Sequence, residues 1–276
     1  MIIDMHTHTF PNKIADHTRT AMERAVYEKK GCRLKRKVAG TREALSESVT
    51  KNGLDLSVVV PVATKPDQSA SINRFALETN EHTHITGVYS FGAIHPDNTD
   101  YKKILNDVRA MGLKGIKLHP DYQNVDFDDE RFIRIMDYAA NLGLIIVTHA
   151  GEDVGIPGRI RCTPDKILRV LNDVRPDKLV LAHMGGWNMW DEVEEKLVGK
   201  NVYFDTAFVF ETTVPHIEEE QFVRIVRNHG ADKILFATDS PWSDQGESIR
   251  KIRSMKFSGK EETMILGENA EKLLKL

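Results

Sequence analysis

Short apolar runs, rich in β-branched residues, alternate along the chain with longer stretches whose apolar positions recur every three to four residues. The runs Ile2–Met5, Leu56–Val62, Ile85–Ile94, Gly115–Leu118, Leu144–Thr148, Lys178–Ala182, Val202–Asp205 and Ile234–Ala237 read as eight β-strands. Between them the pattern predicts helices. Tyr101–Met111 gathers Ile104, Leu105 and Val108, and Arg131–Asn141 gathers Phe132, Ile135 and Met136. Pro164–Val174 gathers Ile167, Leu168 and Leu171, and Phe222–Arg227 gathers Val223 and Val226. Thr163-Pro164 has the chemistry of a helix start, and Gly112, Gly143 and Gly230 that of helix ends. Strict alternation predicts a parallel sheet. Eight strand–helix units predict an α/β fold closed as a (β/α)8 TIM barrel, for which 276 residues is an ordinary length. A doubly wound open sheet would normally carry a Gly-rich turn after its first strand. Here that turn is His-Thr-His-Thr, residues 6–9.

Two stretches exceed a minimal barrel. Residues Pro11–Gly40 form an insertion after strand one, and its basic run, Lys29–Lys37, reads as a solvated face or as a lid over the barrel mouth. Lys260–Leu276 reads as an amphipathic C-terminal helix that closes the outer ring. No stretch rich in Gly, Ser or Pro divides the chain, so residues 1–276 are expected to form a single domain.

Composition narrows the function classes. With 41% apolar and 29% charged residues the chain can bury a sizeable core. A net charge of −3 gives no reason to expect a nucleic-acid partner. No apolar run approaches the roughly 18 residues of a membrane span. The first ten residues hold charge and histidine where a signal peptide is apolar. Cys32 and Cys162 lack a metal-type spacing, which suits a reducing compartment without a disulfide framework. A cytoplasmic protein with a small-molecule substrate is expected; the sequence also allows a homo-oligomer.

Candidate chemistry lies at the strand ends. "IIDMHTHTF" sets Asp4, His6 and His8 at alternate positions, which in a regular strand share one face. Strand five ends "IIVTHAG" at His149, strand six "LVLAHMGG" at His183 and strand eight "ILFATDSPW" at Asp239. In a (β/α)8 barrel the carboxyl ends of the strands form the rim where active sites are built. Four imidazoles and a carboxylate on that rim suit a zinc-like divalent metal with an open position for water. Asp4 reads either as a carboxylate that orients a ligand or as a structural bond. His95 in "AIHPDN" and His119 in "IKLHPDY" end strands three and four, as substrate contacts or as partners of the loop backbone. Arg159 and Arg161 follow strand five and can clamp a substrate carboxylate. Trp242 can wall the pocket. The second His-x-His, His82 and His84 in "EHTHIT", precedes strand three and reads as structural or solvated.

This constellation resembles the amidohydrolase superfamily of metal-dependent hydrolases over essentially the whole chain. "DMHTHTF" is similar to its strand-one His-x-His, and His149, His183 and Asp239 match its histidines of strands five and six and its aspartate of strand eight. The tail "ILGENAEKLLKL" resembles the family's Asn-Ala-x-x-Leu ending. The branch most alike is the amidohydrolase-related family 2, which includes aminocarboxymuconate-semialdehyde decarboxylase. The resemblance implies that His6, His8 and His149 hold the metal with Asp239 as a further ligand. Asp239 then takes the proton of a metal-activated water, and His183 acts as acid or base toward substrate. It also implies one zinc ion above an unmodified Lys117. Two ions bridged by a carboxylated Lys117 are the variant seen in binuclear members, with His149 and His183 on the second ion. Lys117, His119, Arg159 and Trp242 are the expected substrate contacts. Hydrolysis of a small, carboxylate-bearing amide, ester or lactone leads, with non-oxidative decarboxylation as the alternative. A nuclease or phosphodiesterase of the TatD type is the competing class. Those enzymes typically place a glutamate at the end of strand four, where this chain has "GIKLHP".

Overall fold

A computed structural model describes residues 1–31, 37–156 and 158–276. Eight parallel strands follow one another in chain order: β1 (Ile3–Thr7), β2 (Leu56–Val59), β3 (Val88–Ser90, then Gly92–Ala93), β4 (Gly115–Leu118), β5 (Ile145–Thr148), β6 (Leu179–Leu181), β7 (Tyr203–Asp205) and β8 (Ile234–Leu235). Phe91 interrupts β3, and its N–H still reaches Val59 O at 2.9 Å. The ring closes between β8 and β1. Met5 N–H donates to Phe236 O at 2.9 Å, Asp239 N–H to His6 O at 2.8 Å, and His8 N–H to Ser240 O at 2.7 Å. The fold is the (β/α)8 barrel that the alternating pattern predicts.

Period-two alternation sorts the strand side chains. Ile116 and Leu118 of β4 pack outward on the helices, so Gly115 and Lys117 face the axis. Ile3, Met5, Val58, Ile145, Val147, Val180 and Leu235 form the inner cluster. The helices used below are α1 (Asn12–Lys30), α2 (Arg42–Asn52), α3 (Ser69–Asn80), α4 (Tyr101–Ala110), α5 (Glu130–Asn141), α6 (Pro164–Asp173), α7 (Trp190–Lys196), α8 (Glu219–His229) and α9 (Gln245–Ser254). Thr163 caps α6 by accepting from Lys166 N–H, as its position before Pro164 predicts.

Two expectations change. Ile85 lies in a helical turn, Thr83–Thr86, and is 75% exposed, so β3 begins only at Val88. The turn holds because Thr83 Oγ1 donates to Val88 O and Thr86 Oγ1 to His82 O, bonds that compete with a ladder. The C-terminal segment is not part of the outer ring. It runs as Gly259–Thr263, a π-helical turn Met264–Glu268, and α10 (Asn269–Leu274). Ala270, Leu273 and Leu274 join the inner cluster at the amino-terminal ends of the strands and plug the barrel floor. Lys114 Nζ ties the plug down through Leu274 O at 2.6 Å. Gly267 permits the approach of the chain start, because a Cβ there would stand 2.1 Å from Met1 O. The inserted stretch after β1 forms α1, while residues 32–36 of its basic run, Cys32 included, lie outside the described residues. Among the described residues no helix is long and apolar enough to cross a membrane.

Candidate active site

The first strand does not present Asp4, His6 and His8 on one face. Asp4 pairs with Ser57 and Thr7 with Val59, so three steps on β1 oppose two on β2. This β-bulge reverses the alternation between Asp4 and His6. Asp4 turns into the helix layer and is fully buried. It accepts from Thr238 Oγ1 at 2.6 Å, Thr238 N–H at 3.0 Å and Gln245 Nε2 at 2.8 Å, and Gln245 in turn donates to Ser57 Oγ. Burial pushes the Asp4 carboxyl up to about 7 against these hydrogen bonds. Asp4 is therefore a structural bond at the β1–β8 seam, the second of its two sequence readings.

Past the bulge His6 turns inward. Its Nδ1 lies 2.9 Å from Asp205 Oδ2, and the other Asp205 oxygen accepts from His183 N–H and Ala207 N–H. A carboxylate only accepts, so His6 Nδ1 carries the hydrogen and Nε2 presents its lone pair to the axis. His6 Nε2 stands 3.6 Å and His8 Nε2 2.9 Å from Asp239 Oδ1. These three residues offer ligand atoms that all lie within 4.8 Å of one another. Lys117 Nζ stands 3.2 Å from His6 Nε2.

A second chain of bonds fixes the other histidines. Ala207 O only accepts, so His183 Nδ1–H donates to it at 2.8 Å. His183 Nε2 is then an acceptor and takes the hydrogen of His149 Nδ1 at 3.0 Å. This leaves His149 Nε2 as a bare lone pair, buried and without a hydrogen-bond partner. An imidazole nitrogen left without a partner in a polar pocket has a lone pair to offer a cation or a water. His119 is different. Its Nδ1 accepts from Tyr122 N–H at 3.3 Å, so in the neutral ring Nε2 bears the hydrogen and faces Asp153 Oδ2 at 3.6 Å. The group His119, His149 and Asp153 is also compact enough for an ion. Its donor set fits less well, because His119 has no free lone pair to give.

Burial sets the protonation of the cluster. It holds His6, His119 and His149 well below the usual imidazole range and lowers His183, leaving nitrogens able to ligate. It pushes the Lys117 ammonium down to about 8 and the Asp153 carboxyl up to about 7. Burial would raise Asp239 too, but the His8 hydrogen bond and the charges of His6, His8 and His183 hold it below the usual carboxylate range. His6, His8 and Asp239 thus fit a divalent cation of the kind that imidazole and carboxylate ligands select, while His149, whose Nε2 is free, belongs to the second compact group with His119 and Asp153.

One cavity of about 1030 Å3 collects His6, His8, Lys117, His119, His149, His183, Asp239 and Trp242. The structure does not bring Arg159 there. Arg159 is exposed on the surface and pairs with Asp126, which Arg161 and Lys166 also approach. Neither arginine lines the cavity, because the loop after β5 turns them toward the acidic residues that precede α5. His95 is bound into its own loop, with Nδ1 accepting from Asp97 N–H. His82 and His84 are exposed ahead of β3. Sequence reasoning missed Asp205, Asp153 and the wall supplied by α1. Asp205 carried a readable signal, since it ends β7 in "VYFD" as the other polar residues end their strands.

The fold agrees with the comparisons. The protein is similar in fold to 5-carboxyvanillate decarboxylase from Sphingomonas paucimobilis, at 15% identity and a TM-score of 0.70, covering 100% of this chain and 99% of that one. A dihydroxybenzoic acid decarboxylase from a Polaromonas species, with bound manganese and 2-nitroresorcinol, matches at 15% identity and 0.71 over 100% and 97%. A TIM-barrel protein from Bordetella bronchiseptica matches at 17% and 0.73 over 99% and 98%. No curated relative matches in sequence. The family profile described as amidohydrolase matches residues 3–276, from the first strand with its histidine pair to the helical floor, and the chain belongs to that family.

Proposed function

We propose that this protein is a metal-dependent enzyme that removes carbon dioxide, without an oxidant, from a small conjugated carboxylic acid. One observation carries the reading: the cluster His6, His8 and Asp239 shares a cavity floor with the buried Lys117 amine, beneath walls that include Phe208 and Trp242. Such a floor suits an anion on an apolar body. The decarboxylases that share the fold support this choice of reaction over hydrolysis.

His6, His8, Asp239 and His149 would hold one divalent ion. Zinc suits the donor set, and the manganese of a structural neighbour is the other candidate. A single ion is favoured because both nitrogens of His183 are already engaged, by Ala207 and His149. Bound there, the ion would supply a fixed positive charge that polarises substrate oxygen and acidifies bound water. Lys117 attracts the carboxylate and is strengthened by its dry setting. Asp205 holds the His6 ring. Carbon dioxide leaves with both carboxylate oxygens, the bonding pair stays on the substrate carbon, and that carbon gains a proton from solvent: Asp239, ionised at rest, takes it from water as a base and hands it on as an acid, with His183 beside it at the floor. The substrate is free in the cytoplasm, and no nucleic acid is involved.

Hydrolysis is the second reading, favoured by the ionised state of Asp239, which suits a base for water. Metal-loaded protein incubated with a panel of aryl carboxylates, lactones, amides and phosphodiesters separates the readings. Carbon dioxide release that is lost in Asp239→Asn supports the proposal. Turnover of lactones or amides alone replaces it with hydrolysis, and turnover of phosphodiesters alone with the nuclease class.

A further inference from the structure

The cavity is larger than a single-ring acid needs. At about 1030 Å3 it stands at the top of the range for small-molecule pockets, roughly 300–1,000 Å3. The ligand cluster, Lys117 and His183 occupy only its floor. Its outer part lies between α1 and α3. Helix α1 contributes Ile14, Thr18, Met22 and Val26, spaced four apart along one face, and α3 contributes Ile72 and Phe75, three apart. From Ile14 to Val26 this face runs about 18 Å at 1.5 Å per residue.

The helix is anchored at both ends. Phe10 N–H donates to Gly40 O just before it, and Lys29 Nζ, at its last turn, donates to Gly155 O in the loop after β5. β1 and β5 stand across the barrel from each other, so α1 bridges the mouth. On the two helices the charged lining groups, Arg74 and Glu78 on α3 and Lys29 on α1, are exposed at the rim, while Glu152 and Asp153 line the cavity from the loop after β5. Polar chemistry at the floor, an apolar channel, and charge again at the exit form a sequence that matches an amphiphile.

We propose that the substrate of this centre carries an apolar arm longer than one aromatic ring, seated between α1 and α3 with its reactive acid end at the floor. The statement rests on the reading of the floor as a carboxylate site, and it names the substrate class as elongated hydrophobic acids. Thr18 and Ser71 are the polar neighbours of Met22 and Ile72 on these walls, and the apolar side chains Ile14, Met22, Val26, Ile72 and Phe75 make up the surface an arm would meet, which suits hydrocarbon or aryl.

Calorimetric titration of the metal-loaded protein with straight-chain carboxylates of four to twelve carbons, below their micelle concentrations, tests this. Affinity is expected to rise about fourfold per added methylene, the equivalent of about 0.8 kcal/mol for a buried CH2. Met22→Gln and Ile72→Gln, on opposite walls, should each weaken the twelve-carbon acid about tenfold and leave the four-carbon acid unchanged. Ile85→Gln, on the exposed turn before β3, should alter neither. Affinity independent of chain length, or equal losses for short and long acids in both wall variants, overturns the arm. The two proposals fail separately. A length series without carbon dioxide release from any acid keeps the arm and removes decarboxylation. Release from single-ring acids with a flat length series does the reverse.

Discussion

The tautomer of His6 is set by a residue that offers no ligand atom to the cluster. Asp205 holds Nδ1–H, and Nε2 is therefore free. In Asp205→Asn the amide oxygen can still serve His183 and Ala207, but the NH2 then faces His6 Nδ1 and forces the hydrogen onto Nε2. Metal affinity is expected to fall about 10–100-fold with the fold intact, read by titration with a metal-sensitive dye and by circular dichroism. Lys117→Ala removes a cation 3.2 Å from His6 Nε2. It should leave one metal per chain by elemental analysis and raise KM for an acid substrate more than tenfold. Two metals in the wild type would instead assign Lys117 as a carboxylated bridge. The strand-end histidines were legible because each follows an apolar run. The shared face expected for Asp4, His6 and His8 fails because nothing in "IIDMHTHTF" marks the bulge, and the expected place of Arg159 fails because loop direction depends on partners such as Asp126 that sequence order does not bring near.

At the scale of elements, the second His-x-His is a control provided by the chain itself. His82 and His84 are exposed on the turn before β3, at the opposite end of the barrel from the cavity. His82→Ala with His84→Ala should change metal content and turnover less than twofold. Helix α8 carries a different kind of histidine. His229 accepts from Gly199 N–H through Nδ1, donates from Nε2 to Val202 O, and stacks on Phe204, 4.0 Å between centroids. Burial lowers its pKa against the pull of the Val202 carbonyl. Above the ordinary value of about 6.5 both folded and unfolded chains hold it neutral. As pH falls below that value the unfolded chain takes the proton first, so stability declines until the folded ring also titrates. The slope from this one residue approaches about 1.4 kcal/mol per pH unit. Urea midpoints at pH 7.5 and pH 5.5 should differ less in His229→Gln than in the wild type. Periodicity predicted α8 but could not tell that its last residue enters the core.

For the whole molecule, the alternating pattern predicted a closed barrel because eight strand–helix units came without the Gly-rich turn that a doubly wound sheet normally carries after its first strand. It was not enough to place α10. Amphipathicity says that a face is buried, not which layer receives it. The floor position makes Leu273, 5% exposed and packed among inner-cluster residues of several strands, a cavity-forming site. Leu273→Ala should cost about 2–5 kcal/mol, measured by urea denaturation, with metal affinity per folded molecule unchanged.

The seam between β1 and β8 has a consequence for assembly. Its backbone bonds join residues 5–8 to residues 236–240, more than 200 positions apart. His6 and His8 lie on one lip and Asp239 on the other. An ion shared by these groups would cross-link the last joint of the ring, and a cross-link closing so long a loop removes a large entropy from the open chain. Chelation is expected to lower Tm by about 5–10 °C, the equivalent of roughly 2.7 kcal/mol at a hundredfold excess of metal over Kd. It should also speed hydrogen exchange selectively along β1 and β8. An ion held by both lips would load only after the barrel has shut, and it would then oppose the reopening of that joint.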